Sequence, residues 1–259
     1  MLRRALLSFP LGATAALAPG SGLRVGVEDH EDFLPYSDYH RRTYRGLIRD
    51  LLDAFGEQQR LSMHYVVLPI KRRNALFVQG ELDLMVPDHP QWAPEVKGKL
   101  PVAYTPVIEF TDGAVVMPQR LGQGLAKVRR LGIQNGFTPF PFKPWIDRGQ
   151  VMVEESGRPF GLLEKLRSGH IDAAYLNVRV AAHFFGKLGL SVSERPRFDP
   201  DLPHVNGHWH LSSIRHPELV DAFGAFLQRH PELLDQCKRR WGWDTLGMAR
   251  HQSRMPPLA

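Results

Sequence analysis

The stretch that decides the fold reads Tyr44-Arg45-Gly46-Leu47-Ile48-Arg49-Asp50-Leu51-Leu52. Its apolar positions, continued by Phe55, recur at the spacing of one helix face and predict a buried helical stripe. A short apolar segment, Leu23 to Val27, precedes it and predicts a strand, and the loop between the two carries aromatic side chains. A strand followed by a loop and an amphipathic helix is a typical opening unit of an α/β fold.

The same alternation continues along the chain and predicts mostly parallel sheets covered by helices. The further predicted strands are Ser62–Leu68, Leu82–Val86, Ala114–Met117, Leu131–Gln134, Val151–Val153, Ile171–Leu176 and Trp209–Ile214. The further predicted helices are Lys71–Gln79, Phe140–Arg148, Phe160–Arg167, Val178–Leu188, Pro217–Arg229 and Pro231–Trp241. We expect Pro87 to end the strand before it, and Leu188 to face inward with Ala181, Ala182 and Phe185.

Length and composition limit the class of protein. With 259 residues, of which 43% are apolar, the chain can bury a sizeable core in one large or two medium domains. Its formal net charge of +6 comes from basic residues that are scattered along the sequence rather than gathered among aromatic residues. This distribution is typical of a solvated surface and argues against a nucleic-acid partner.

The N-terminus has the pattern of an export signal. Arg3-Arg4 supplies positive charge, Ala5 to Ala18 is apolar and uncharged, and Ala16-Leu17-Ala18 offers the small residues that a signal peptidase recognises. We therefore expect residues 1–21 to be a signal peptide and the remaining chain to be periplasmic. An apolar tail or a wrongly assigned start is the alternative explanation.

Cysteine usage agrees with this location. The sequence contains one cysteine, Cys237, which permits no internal disulfide, so stability has to come from the core. Because no cysteine lies near the predicted signal peptide, we expect the exported protein not to be a lipoprotein.

Further segments occur in an order shared with a known family. They are Gly80-Glu81-Leu82-Asp83; Pro101-Val102-Ala103-Tyr104; Gly157 to Gly169 followed by His170-Ile171-Asp172-Ala173-Ala174; and His216-Pro217-Glu218-Leu219-Val220-Asp221-Ala222-Phe223. With the opening unit they extend from Leu23 to about Trp243. In this order the chain resembles a bacterial extracytoplasmic solute-binding protein of family 3, the amino-acid-binding type used by ABC transporters.

The resemblance implies the periplasmic binding protein type II fold, in which two α/β lobes enclose a central cleft and are joined by two crossing strands. Lobe 1 would be discontinuous, formed by residues 22–107 plus 206–259, and lobe 2 would be residues 108–205. The resemblance also implies a monomer that captures a small-molecule ligand for the membrane subunits of an ABC transporter, without a cofactor. Some proteins of this fold are instead dehydratases, and some are ligand-sensing modules.

In such folds, loops that follow strands and the N-termini of helices line the cleft. In lobe 1 we expect Phe33 and Tyr36, in the loop after the first strand, to cover an apolar part of the ligand. Arg72 begins a helix, where its planar guanidinium can bind a carboxylate. Asp88 and His89 follow another strand and should also reach the cleft. For the arginine, the alternative is an ordinary exposed side chain.

In lobe 2 the candidates follow two strands. Thr138 lies in Gly136-Phe137-Thr138, between a strand and a helix, where backbone N–H groups and the threonine hydroxyl can hold an anion. Tyr175 and Asn177 end another strand and are expected to face the same cleft.

Two departures from the family pattern limit the ligand. Members that bind α-amino acids carry an arginine shortly after the strand that matches Leu82 to Val86, and an aspartate at the place of Asn177. This chain has no arginine in Pro87 to Val96, and asparagine keeps hydrogen bonding but loses the charge that would pair with an ammonium group. We therefore expect free α-amino acids to bind weakly, and the solute to be another small polar or anionic compound.

The sequence also offers candidates for two other kinds of site, a metal site and an enzyme active site. Three histidines fall close together, at His204, His208 and His210. They could contribute to a metal site, although histidines in a connecting strand more often make ordinary hydrogen bonds. An enzyme on this fold would need an acid and a base in the cleft, for which Glu28, Asp88 and His89 are the candidates.

Overall fold

The computed structural model describes residues 22–191 and 193–243. The predicted signal peptide, residues 1–21, and the last part of predicted lobe 1 lie outside the described residues. Within the described ranges, no helix has the length and apolar composition that a membrane span requires.

Strands and helices alternate as the sequence predicts. The strands are β1 Leu23–Glu28, β2 Asp38–His40, β3 Thr43–Arg45, β4 Met63–Leu68, β5 Leu84–Asp88, β6 Ala103–Val116, β7 Arg130–Gln134, β8 Met152–Ser156, β9 Ala173–Asn177, β10 Arg197–Phe198 and β11 His204–Ser213. The helices are α1 Leu47–Gln59, α2 Ile70–Val78, α3 Pro94–Lys97, α4 Lys143–Asp147, α5 Pro159–Arg167, α6 Val178–Lys187, α7 Pro217–Arg229 and α8 Pro231–Arg240.

A long antiparallel pair, β6 with β11, occupies the centre of the main sheet. The strand order is β4-β1-β5-β11-β6-β9-β7-β8, with the short β10 beside β6. On one side β1 pairs in parallel with β4 and β5, and on the other β7 pairs in parallel with β8 and β9. These two parallel groups are the sheets of lobe 1 and lobe 2. The predicted architecture of two α/β lobes joined by two crossing strands is confirmed.

Each lobe has its own hydrophobic core. In lobe 1 the predicted stripe of α1 is buried, and Phe55 packs on Phe223 and Phe226 of α7 with ring centroids 5.2 and 5.5 Å away. In lobe 2, apolar side chains of α5 and α6 cover one face of the sheet, and a second cluster around Phe142 covers the other. The predicted lobe boundaries fall inside β6 and β11, which run through them unbroken, so the division at those residues stays a prediction.

Two predictions were wrong, one about the end of β5 and one about the side chain that follows α6. β5 does not end before Pro87 but continues to Asp88, because the pairing of β5 with β11 shifts register between His210 and Ser212. A proline fits such an irregular site, since no ladder hydrogen bond requires its missing N–H. Leu188 does not face inward: α6 ends at Lys187, so Leu188 is no longer held in the helical periodicity and is 37% exposed.

A hairpin that the sequence does not predict follows β1. β2 and β3 pair from Asp38–Arg45 to His40–Thr43, and Arg41 and Arg42 turn the chain with φ values of 49° and 62°. Such turns are usually recognised by Asn-Gly or Asp-Gly, and two arginines give no such signal. Just before the hairpin, the backbone oxygen of Tyr36 accepts the N–H of Ile48 in the first turn of α1 at 3.1 Å. Part of the predicted aromatic loop is therefore regular structure.

Candidate functional site

A cavity of about 410 Å³ lies between the two lobes, a size typical of small-molecule sites. Lobe 1 contributes Glu28, Phe33, Ile70, Lys71, Arg73, Asn74, Trp92, Ala93, Glu95 and Val96. Lobe 2 and the crossing strands contribute Asp112, Gly136, Phe137, Thr138, Glu155, Tyr175 and Trp209. We call this space the interlobe cavity.

The carboxyl ends of parallel strands deliver several of these side chains. Glu28 ends β1, and Gly136 to Thr138 follow β7, as expected for a ligand site at the carboxyl edge of an α/β sheet. The lobes approach each other here, because a Cβ added to Gly136 would lie 3.0 Å from the Cβ of Ile70 on α2. Gly136 also has a φ of +86°, which favours glycine at this close contact.

Aromatic rings form one wall of the interlobe cavity. Phe33 stacks on Trp209 with ring centroids 5.8 Å apart, and Phe137 from lobe 2 meets Phe33 edge-on at 6.1 Å. Trp92 approaches Trp209 from another side at 6.4 Å. These faces can cover an apolar or cationic part of a bound molecule.

A buried ion pair lies at the base of this wall. Nη1 of Arg73 is 3.2 Å from Oε1 of Glu28, and both side chains are almost fully buried. Nε2 of His30 lies 3.4 Å from the other carboxylate oxygen of Glu28. Nevertheless, Nε and Nη1 of Arg73 form no hydrogen bond within the described part of the chain. The guanidinium is therefore charge-paired but retains donors that a bound molecule could use.

Asp112 contributes a second buried carboxyl group to the interlobe cavity. It is 5% exposed and accepts a hydrogen bond of 3.0 Å from Nδ2 of Asn177 on the neighbouring strand β9. Burial raises the pKa of Asp112 to about 7, the hydrogen bond from Asn177 opposes this rise, and the negative charge of Glu28 adds to it.

Two further polar atoms around the interlobe cavity have no hydrogen-bond partner among the described residues. They are Nε1 of Trp209 and the hydroxyl of Tyr175, whose side chains are 2% and 1% exposed. Buried donors are normally satisfied, and leaving one unpaired costs about 1–3 kcal/mol. A ligand with suitably placed acceptors would remove this cost.

Three of the predicted ligand residues, Phe33, Thr138 and Tyr175, line the interlobe cavity. Tyr36 and Asn177 instead lie behind its wall. The hydroxyl of Tyr36 donates to the backbone oxygen of Glu109 at 3.2 Å, and Asn177 donates to that hydroxyl at 3.5 Å. Asn177 also caps α6, since its Oδ1 accepts the N–H groups of the helix's second and third residues. Tyr36 and Asn177 therefore support the cavity wall from behind instead of lining the cavity.

The predicted arginine is displaced by one residue. Arg72 is exposed and does not line the interlobe cavity, whereas Arg73 is 1% exposed and does. One step along a helix rotates the side chain by about 100°, so this difference moves the guanidinium from solvent to the interior. The pattern Lys71-Arg72-Arg73 does not by itself reveal which of the three faces inward.

Asp88 and His89 belong to a different cluster and do not line the interlobe cavity. Asp88 accepts hydrogen bonds from Nζ of Lys97 at 2.5 Å and from Oγ of Ser212 at 2.6 Å. His89 stacks on Phe140 of lobe 2, with centroids 6.1 Å apart. The structure therefore does not bring the proposed acid–base candidates Glu28, Asp88 and His89 together in one cavity.

The three histidines His204, His208 and His210 do not form a metal site within the described residues. Nδ1 of His204 lies 2.9 Å from the backbone oxygen of Leu202, and no group of three or more metal-binding side chains occurs within residues 22–191 and 193–243.

A second, more open cavity of about 620 Å³ adjoins the interlobe cavity at Ile70 and is bordered by Asp29, Asp32 and Arg158 among others.

Sequence reasoning missed Arg73, Asp112 and Trp209. Asp112 offered a signal, because it is one of two acids, with Glu109, within Val107-Ile108-Glu109-Phe110-Thr111-Asp112-Gly113-Ala114-Val115-Val116, which is otherwise largely apolar. A charge in such a strand is expected to be paired or functional. The predicted strand begins only at Ala114, so Asp112 lies outside it and is not among the predicted ligand residues.

No protein-family model and no curated protein matches the sequence. Among solved structures, an ancestral arginine-binding protein bound to arginine superposes with a TM-score of 0.68 and 16% identity, over 86% of this chain and 99% of that one. An ABC uptake transporter substrate-binding protein from Streptococcus pneumoniae with bound histidine gives 0.69 and 15%, over 88% and 95%.

The ancestral amino-acid-binding protein AncCDT-1, a precursor of cyclohexadienyl dehydratase, gives a TM-score of 0.63 and 17% identity, over 85% of this chain and 95% of that one. Identities this low establish the fold alone. The similarity extends over nearly the whole length of each of these proteins, including both lobes and the crossing strands. The chain has the two-lobed fold of the type II periplasmic binding proteins.

Proposed function

We propose that this protein is an extracytoplasmic solute-binding protein that captures a small polar or anionic solute in the interlobe cavity for an ABC transporter. One observation carries the proposal: a cavity of about 410 Å³ is lined by Arg73, Trp209 and Tyr175, whose buried donor atoms have no hydrogen-bond partner among the described residues. A solute with acceptor groups would satisfy them, and burial between two lobes would hold it.

The connection between the lobes supports capture by hinge closure. The two crossing strands β6 and β11 are the covalent route from one α/β group to the other, and contacts such as that of Gly136 with Ile70 form across the cleft. Lys71 of lobe 1 also lies 3.7 Å from Glu155 of lobe 2 at the cavity rim. Opening and closing about β6 and β11 would admit and then enclose the solute.

The solved structures of similar fold add support. Two of them hold arginine and histidine, and one belongs to an ABC uptake transporter. By analogy we assign this chain a transport role, with membrane subunits as partners and a monomeric state. We also propose that about residues 1–21 direct export and are removed from the mature protein. N-terminal sequencing of the exported protein tests this part, and a mature protein that retains Met1 would contradict it.

The experiment for the main proposal is a thermal-shift screen against small organic acids, amines and neutral polar metabolites. A compound present at 100 times its dissociation constant should stabilise the protein by about 2.7 kcal/mol. X-ray scattering with the best compound should show compaction. Stabilisation that is unchanged in variants of the cavity wall, such as Trp209→Ala, would place binding elsewhere and contradict the proposal.

An enzyme is the second candidate. The raised pKa of Asp112, about 7, suits a general acid or base, and it lies in the same cavity as Glu28. One similar structure is described as a precursor of a dehydratase. Incubation of screen hits with the protein, followed by mass spectrometry, would detect a product, and Asp112→Asn should abolish its formation. Recovery of every hit unchanged would favour the binding protein.

A further inference from the structure

The interlobe cavity contains an imbalance of charge. Glu28 already has Arg73 and His30 as neighbours within ion-pair distance. Asp112 has the amide of Asn177 as its hydrogen-bond partner, and no basic side chain of the described residues pairs with its carboxylate. A buried carboxylate is normally paired with a cation. The described part of the protein supplies no such cation for Asp112.

The surroundings of Asp112 indicate what could replace it. The aromatic faces of Phe33 and Trp209 line the same cavity, and such faces attract weakly hydrated organic cations. Nε1 of Trp209 and the hydroxyl of Tyr175, both more than nine-tenths buried, lack partners there among the described residues and call for an acceptor on the same molecule. A positive group and an acceptor on one small molecule would meet both requirements.

We propose that Asp112 is the counter-ion of the solute, so that the protein captures a small amine that also carries a hydrogen-bond acceptor. The inference rests on the proposed function and narrows it from any small polar or anionic compound to compounds with a cationic nitrogen. It also gives Asn177 a role, which is to hold the carboxylate of Asp112 in place from behind the cavity wall.

Capture of an amine would release a proton. Asp112 faces Glu28 from β1, Tyr36 and Asn177 behind the wall, and Tyr175 from β9. Burial, with a smaller contribution from Glu28, brings its pKa to about 7, and a bound cation favours the ionised form. For a group that must ionise to bind, a pKa of 7 makes the apparent affinity about tenfold higher at pH 8 than at pH 6.

Matched pairs of compounds test this inference. Aminohexanoate is compared with hydroxyhexanoate, and tyramine with tyrosol, which share a phenolic oxygen, first by thermal shift and then by calorimetry at pH 6 and pH 8. The amine of at least one pair should bind at least about tenfold more tightly than its hydroxyl counterpart, and more tightly at the higher pH. Asp112→Asn should abolish both differences.

Glu109→Gln is the control variant. Glu109 lies on β6 near Asp112 but binds Nζ of Lys238 outside the interlobe cavity, so this change should leave both differences intact. Equal or tighter binding of the hydroxyl compounds, or no binding of either amine, would overturn the inference. Failure of the proposed function looks different, because then no compound of the wider screen, with or without an amine, would bind in this cavity.

Discussion

Replacing Arg73 tests whether the buried ion pair organises the interlobe cavity. Arg73→Met removes the guanidinium but keeps an unbranched side chain, and Arg72→Met makes the same replacement one residue away on the exposed face of α2. Glu28 is 4% exposed and would be left with the imidazole of His30, 3.4 Å away, as its remaining neighbour within ion-pair distance. Breaking a buried pair on one side typically costs about 3–5 kcal/mol.

We therefore expect Arg73→Met to lower the free energy of unfolding by about 3 kcal/mol or more, and the melting temperature by about 10 °C. Arg72→Met should change stability by less than about 0.5 kcal/mol, as is usual for surface substitutions. Chemical denaturation measures both variants under the same conditions. The neutral double variant Arg73→Met with Glu28→Gln should recover much of the loss, because it leaves no unpaired buried charge. Equal effects of the two single variants would refute the reasoning.

Three further predictions follow from the cavity and the lobe contacts. Asp112→Asn should stabilise the protein at pH 8 but not at pH 4, because its pKa of about 7, above its ordinary 3.8, makes wild-type stability fall as pH rises between these values. A pH-independent effect in thermal melts would contradict this. Gly136→Ala should weaken lobe closure by contact with Ile70, whereas Gly149→Ala, also at positive φ but in open space, should not alter ligand-induced compaction in scattering. Burial and, to a smaller extent, His210 lower the pKa of His89 from 6.5 to about 4, so wild-type stability should fall as the pH drops through this range. His89→Phe should remove this loss of stability, and an unchanged pH profile would contradict the assignment.

Much of the fold could be predicted from the sequence because local periodicity and core burial agree. The stripe of α1 repeats at helical spacing and faces the lobe 1 core, and Pro217 and Pro231 occupy first-turn positions of α7 and α8 as expected. The short hairpin was missed because its turn residues, Arg41 and Arg42, are not typical turn formers. Local propensity is overridden there by the packing of neighbouring aromatic residues on the core.

The candidate site was harder to predict, since its residues come from separate elements. The side chain of Arg73 lies on the buried face of α2 with Asn74 and Phe77, and the run Lys71-Arg72-Arg73 gives no local pattern that identifies this face. The environment of Asp112 depends on the pairing of β6 with β9, which places Asp112 opposite Asn177 although the two residues are far apart in sequence. Sequence reasoning correctly noted that Asn177 lacks a charge, but the neighbouring carboxylate is visible only once the strands are paired.

Because Asp112 and Asn177 lie opposite each other, exchanging them tests whether amine binding needs a carboxylate at residue 112 or only a carboxylate within the pair. In the double variant Asp112→Asn with Asn177→Asp, the new amide can still donate to the new carboxylate across the pair of strands. The new aspartate remains a good cap for α6, since Asp is favoured at this position and its charge suits the helix dipole. Folding stability near pH 8 should therefore stay within about 1 kcal/mol of the wild type.

Binding of amines should nevertheless fall as far in this double variant as in Asp112→Asn alone, because residue 177 lies behind the wall of the interlobe cavity and residue 112 lines it. Calorimetry with aminohexanoate and tyramine compares the three proteins, and denaturation checks that each is folded. Wild-type affinity in the double variant would mean that a negative charge anywhere in the pair suffices. Asp112 would then lose its assignment as the counter-ion, while the cavity would remain the binding site.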